Sequence, residues 1–151
     1  MFLAPSATTA IALLSARFYP VFRDVAAKMK RWRLSGIKLY VLSNGWTLAT
    51  KNFLAKTTQG NLALLIENYF DTEMGSFAVP ETFRKVIASI HVPPQETVLI
   101  TKSMDLARAA KVSDIAQVVI VQRNAEPSEM IEDSKFPRVR TFNDIEFELE
   151  E

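Results

Sequence analysis

Short apolar runs alternate along the chain with longer stretches whose apolar positions recur every three or four residues. "LYVL" at 39–42, "VLI" at 98–100 and "QVVIVQ" at 117–122 are too short for buried helices and read as buried strands. Val21, Phe22, Val25, Ala26, Met29 and Trp32 form one stripe at helical spacing, with Lys28, Lys30, Arg31 and Arg33 on the other sides. That pattern predicts a helix starting at Pro20 and closed by Gly36 at its C-cap. Residues 46–58 predict a helix that stops near Gly60, and 61–67 a shorter one leading into "YFDTEMG". Pro80 suits a first helical turn, so "PETFRKVIASI" is helical, and Ser103 can cap a helix ending near Lys111. At the ends, 2–4 reads as a short strand and Thr8 or Thr9 opens a helix over 10–17. Residues 123–136 read as a polar loop, "RVRTF" as a last strand, and Asn143 as the cap of a short acidic helix. Strands alternating with helices predict βαβ units, a parallel sheet and a three-layer, Rossmann-like α/β sandwich, with residues 1–151 as one domain.

Composition narrows the chemistry more than the fold. The chain has no cysteine, which excludes disulfides, iron–sulfur clusters and cysteine zinc sites, and His91 alone cannot build a multi-histidine metal centre. No apolar run approaches the roughly 18–20 residues of a membrane span. Net charge is +1 but unevenly spread: residues 1–56 hold nine Lys/Arg and one acid, Asp24, while 57–151 hold nine Lys/Arg and sixteen acids. Folding either mixes the two halves or leaves a basic face, including "KMKRWR", for an acidic or phosphorylated partner. The near-neutral total argues against general nucleic-acid binding. Residues 1–23 hold a single acid, Asp24 lying just beyond them, so they lack acids and loosely resemble a mitochondrial presequence; a resemblance to a known family makes them an altered first strand instead.

Candidate chemistry lies where strands end. In open α/β sheets, ligands bind beyond the carboxyl ends of strands. Thr101 and Lys102 follow one such strand. Ser43-Asn44-Gly45 follows another and precedes a helix, whose N-terminal amides can hold an anion.

The stretches "GIKLYVLSNGW", "KTTQGNLALLIENYFDTEMGS", "ETFRKVIASI" and "DIAQVVIVQRNA" resemble the haloacid-dehalogenase superfamily, and within it the enolase-phosphatase (acireductone synthase) family of methionine salvage. Order and spacing agree from about residue 22 to 143. The family opens with a strand and D-x-E-G-T-T; here "FLAPSATTAI" puts Ala4 at the nucleophilic aspartate, Ser6 at the acid/base glutamate and Ala7 at the glycine. The resemblance implies an aspartyl-phosphate mechanism with a Ser/Thr and a lysine on the phosphoryl oxygens and carboxylates on Mg²⁺. Ser43 matches the Ser/Thr, Phe77 falls at the lysine, and Lys102 at a magnesium aspartate. Gln122-Arg123-Asn124-Ala125 stands for R-P-G-N, and Trp46 for a small residue. Phe18-Tyr19-Pro20 runs into "VFRDVAAKMKRW" with no room for the family's helical cap.

With Ala4, Ser6, Phe77 and Lys102 at degenerate positions, the expectation is a capless, catalytically inactive pseudophosphatase with its Mg²⁺ site lost and no cofactor. Such a module is expected to bind protein, as a structural subunit of a larger assembly. Two alternatives stand beside it: a phospho-ligand-binding module using Ser43, Asn44, Gly45 and Lys102, with a phosphorylated small ligand, or a true methionine-salvage enolase-phosphatase. The family is cytoplasmic, whereas recruitment to a complex allows an organelle. Trp46 and Phe77 are expected to form an exposed apolar area, with Phe77 otherwise filling the old crevice. Asp144-Ile145-Glu146 mimics D-x-E but reads as a solvated helix end, and His91 as structural or exposed.

Overall fold

The computed structural model describes residues 2–3, 18–124 and 135–147. Its elements run β1 (Phe2–Leu3), α1 (Arg23–Leu34), β2 (Leu39–Leu42), α2 (Thr47–Ala55), β3 (Ile66–Phe70), α3 (Pro80–Ile90), β4 (Val98–Thr101), α4 (Met104–Val112), β5 (Gln117–Val121) and β6 (Arg138–Val139). Every pairing is parallel. The hydrogen-bonded orders are β1-β2-β3 and β4-β5-β6, and β1 lies beside β4. Across the sheet the order is therefore 3-2-1-4-5-6, and the direction in which successive strands are added reverses between β1 and β4. That is the topological switch point of a doubly wound fold.

Alternating side chains place a core on each face. Leu42, Leu99, Val118 and Ile120 face α3 and α4, with Phe83, Val86, Ile87, Ala107 and Ala110. Leu39, Val41, Ile100 and Val119 face α1 and α2, with Val25, Ala26, Met29, Trp32 and Leu54. Burial on both faces explains why β4 and β5 read as unbroken apolar runs.

Several elements differ from expectation. β3 was not expected, and its first two residues fall in the helix expected over 61–67, because it is an edge strand with little apolar signal: Glu67 and Asn68 are exposed, and Glu67 pairs with Arg33 at 2.7 Å. Only a single three-ten turn, Leu62–Leu65, precedes it. α1 starts at Arg23, not Pro20, because Tyr19 is tied to the segment after α2: its N–H donates to the Lys56 carbonyl (2.7 Å) and its carbonyl accepts from the Thr58 N–H (2.8 Å). Phe22 consequently leaves the buried stripe and is 63% exposed, with the Arg123 guanidinium 3.9 Å from its ring centre. Lys28, expected on the solvated side of α1, is buried and donates to the Glu146 Oε1 at 2.6 Å. The segment that buries it is the C-terminal strap, where Phe142 and Ile145 are buried and Phe142 and Phe147 flank Trp32 at 5.7 and 5.2 Å. That strap carries a three-ten turn capped by Thr141, not Asn143, in a capping box with Asp144. Residue 4 of the predicted first strand, the helix over 10–17 and most of the 123–136 loop lie outside the described residues.

Candidate functional site

β2 and β4 end alike. After β2, the Ser43 Oγ accepts from the Gly45 N–H at 3.0 Å; after β4, the Thr101 Oγ1 accepts from the Ser103 N–H at 3.1 Å. Both hydroxyl residues are buried. Each side chain turns the backbone within two residues and hands it to a helix, α2 or α4, whose N-terminus then faces the strand ends. Ser103 caps α4 by accepting from the Leu106 N–H, as its position predicts. β1 separates the two turns and is in register with β2 through Leu3 and Leu42, one residue before Ser43. The turns thus flank the switch point, two strand spacings or about 10 Å apart.

Asp71, at the end of β3, anchors the first turn and was not singled out from sequence. Its Oδ2 accepts from the Thr47 N–H (3.1 Å) and Oγ1 (2.8 Å), and its Oδ1 from the Glu73 N–H (3.0 Å). The Glu73 amide, outweighing burial together with Thr47, holds its carboxyl below the usual aspartate value. The signal was the Asp-Thr pair in "FDT", an Asx turn by type.

Four of the candidate residues, Ser43, Asn44, Gly45 and Lys102, are therefore brought to the same end of the sheet. Ser43 accepts from Gly45 and keeps its own O–H for donation. The Asn44 amide and the exposed Lys102 ammonium have no hydrogen bond among the described residues. Ala4 and Ser6 lie outside the described residues. Phe77 is not part of this rim. It is 2% exposed and packs on Phe83, ring centres 6.3 Å apart, which corrects the expected apolar surface shared with Trp46. Trp46 alone is exposed, at 75%. A buried phenyl ring cannot carry a charge at this position, so any cation must come from elsewhere.

Other candidates settle into structural roles. Asp144 serves the Thr141 capping box and Glu146 the Lys28 pair, so the D-x-E mimic belongs to the strap. His91 is exposed and ends α3 in the left-handed region at φ 54°. Asp24 receives both Arg123 Nη2 and the Phe142 N–H at 2.8 Å, joining the start of α1 to the exit of β5 and to the strap. Two crevices line α1, one with Met29 and Tyr40, the other with Lys28, Arg31 and Glu146; neither includes Ser43 or Lys102.

No family model matches the chain. Among curated proteins it is 31% identical over 132 residues to enolase-phosphatase E1 of Anopheles gambiae, covering 86% of this chain and 44% of that protein. It is 28% identical over 127 residues to enolase-phosphatase E1 of Aquifex aeolicus, covering 84% of this chain and 55% of that protein. The chain thus spans about half the length of the curated relatives it matches. Among solved structures, the UTR4 protein of Saccharomyces cerevisiae superposes with a TM-score of 0.73 at 17% identity, covering 92% of this chain and 62% of that one, which supports the fold.

These relatives correct two expectations. The chain was expected not to be an enzyme; proteins named as phosphatases over more than four fifths of its length point to an enzyme, and nothing shows inactivity. That expectation leaned on Ala4 and Ser6, of which the structure carries no description, and on Phe77 and Lys102, one of which belongs to the core. The expected absence of Mg²⁺ falls with it, because a phosphatase of this kind uses that ion. Among the described residues no three His, Cys, Asp or Glu come together, and Asp71 is committed to Thr47 and Glu73, so these residues alone do not assemble a magnesium site. Among the same residues no helix is long and apolar enough to cross a membrane.

Proposed function

Because the chain belongs to the haloacid-dehalogenase superfamily, close to the enolase-phosphatases, we propose that it is the phosphate-handling core of an enolase-phosphatase, acting on an enol phosphate ester of methionine salvage. The observation that carries this reading is Ser43: a buried hydroxyl beyond β2, at the switch point, with its proton left to donate and an unbonded amide next to it.

The phosphoryl group sits over the two strand-end turns. Ser43 Oγ–H and the Asn44 N–H donate to its oxygens, and the N-terminus of α2 adds its partial positive charge. Gly45, through its amide, holds the Ser43 oxygen in place. Lys102 brings its ammonium from the far side of β1 and supplies the cation that Phe77 cannot. Asp71 touches no phosphate; by accepting from Thr47 it keeps the turn from shifting. Mg²⁺, when bound, would neutralise charge that develops on the phosphoryl oxygens.

The test is release of inorganic phosphate from an enol or aryl phosphate by the purified chain in Mg²⁺. The expected result is Mg²⁺-dependent release that Ser43→Ala lowers by about 10²-fold or more, the scale for removing one preorganised donor. Absence of release from both substrates by a folded chain, or release that is indifferent to Ser43→Ala, would overturn the reading.

A further inference from the structure

A large apolar side chain stands in water beside the proposed phosphate site. Trp46 follows Gly45 directly and is 75% exposed, with no ring partner among the described residues. Its backbone, by contrast, is held on both sides. The Gly45 N–H bonds Ser43, the Thr47 N–H bonds Asp71, and the Trp46 carbonyl accepts from the Thr50 N–H at 3.0 Å as α2 begins. With the backbone fixed, the indole has only two side-chain torsions to lose when a flat group lies on it. Leaving it bare costs the hydration of a large apolar face, and an aromatic face is recovered best by a planar partner.

We propose that Trp46 is the wall against which the carbon skeleton of a bound phosphate ester lies, so that the site selects esters whose phosphate is attached to a planar, apolar group. The inference rests on the phosphate-site reading above and adds to it the class of ester. An enol ester meets the description, since its sp² carbons are coplanar. Donors around Ser43 fix the phosphate; Trp46 reads what is attached to it. Esters of flexible polyols gain nothing from the indole and bind by phosphate alone.

The chain has two tryptophans, and the other, Trp32, is buried between Phe142 and Phe147. Ligand-dependent protection of emission from acrylamide therefore reports on Trp46. The test titrates the intact chain with inorganic phosphate, glycerol phosphate and phenyl phosphate by calorimetry, with acrylamide quenching in parallel. Phenyl phosphate is expected to bind roughly threefold to tenfold more tightly than glycerol phosphate and to shield Trp46. Trp46→Ala should abolish that advantage while leaving inorganic phosphate affinity unchanged, and Trp46→Phe should keep most of it. Trp32 emission verifies that each variant is folded. If inorganic phosphate binds but phenyl phosphate has no advantage, or keeps it in Trp46→Ala, the role of Trp46 is overturned and the phosphate site stands. If inorganic phosphate does not bind, the underlying site falls and this inference falls with it.

Discussion

Phe77→Ala tests whether the position that the family resemblance gives to a phosphate lysine has become part of the core. Phe77 is 2% exposed and sits in the cluster of Leu42, Phe70, Phe83 and Val86, with its ring tilted 52° to that of Phe83. Removing a buried phenyl loses its transfer free energy and leaves a cavity, together about 3–5 kcal/mol. Of that, about 0.5–1.5 kcal/mol is the ring pair itself. A domain of this size is stable by about 5–15 kcal/mol, so the loss is a large fraction of the total. With a urea dependence near 2 kcal/mol per molar, the unfolding midpoint should fall by about 2 M. Phe77→Leu should cost about 1–2 kcal/mol, because most of the volume is kept. Phe77→Lys, which restores the family residue, should be at least as damaging as Phe77→Ala, since it places an ammonium among apolar side chains without a carboxylate partner. Urea titration followed by Trp32 emission gives all three numbers. A midpoint shift below about 0.3 M for Phe77→Ala would refute the burial and return the position to the phosphate site.

Asp24→Asn should destabilise the chain by about 1–3 kcal/mol, because the neutral amide keeps one acceptor oxygen but no charge to hold Arg123 and the Phe142 N–H. Burial raises the Asp24 carboxyl, but Arg123 and the Phe142 N–H together hold it below its ordinary 3.8. Its contribution is therefore complete above that value and is lost as pH falls through the lower, folded pKa; urea midpoints between pH 2 and 6 should flatten in the variant. Gly75→Ala meets both a φ of +117° and a Cβ 2.7 Å from the buried Thr82 Oγ1. Calorimetric unfolding should show a loss of about 1–3 kcal/mol. Glu146→Ala leaves the buried Lys28 ammonium without its carboxylate, so the melting temperature should fall; adding Lys28→Met should recover much of it, because an apolar side chain at that depth needs no counter-charge.

The elements legible in the sequence were those whose signal is local. Pro80 starting α3, Ser103 capping α4 and Gly36 (φ +85°) closing α1 act within a few residues of themselves, and each does what its chemistry predicts. β4 and β5 were legible because burial on both faces makes the centre of each strand a continuous apolar run. Ser43, Asn44, Gly45 and Lys102 were legible as strand-end residues, since a parallel sheet places such residues at one edge.

What only tertiary structure decided depended on partners far along the chain. "IENYF" became a strand by pairing with β2, and Tyr19 delayed α1 by bonding to the segment at 56–58. Lys28 is buried because Glu146, 118 residues away, answers its charge. Phe77 and Trp46, both large and apolar by sequence, separate completely: one is closed in by α3, the other stands exposed at the rim. Hydrophobicity says what a side chain gains by burial. Only the packing of the remaining chain decides whether a place to be buried exists.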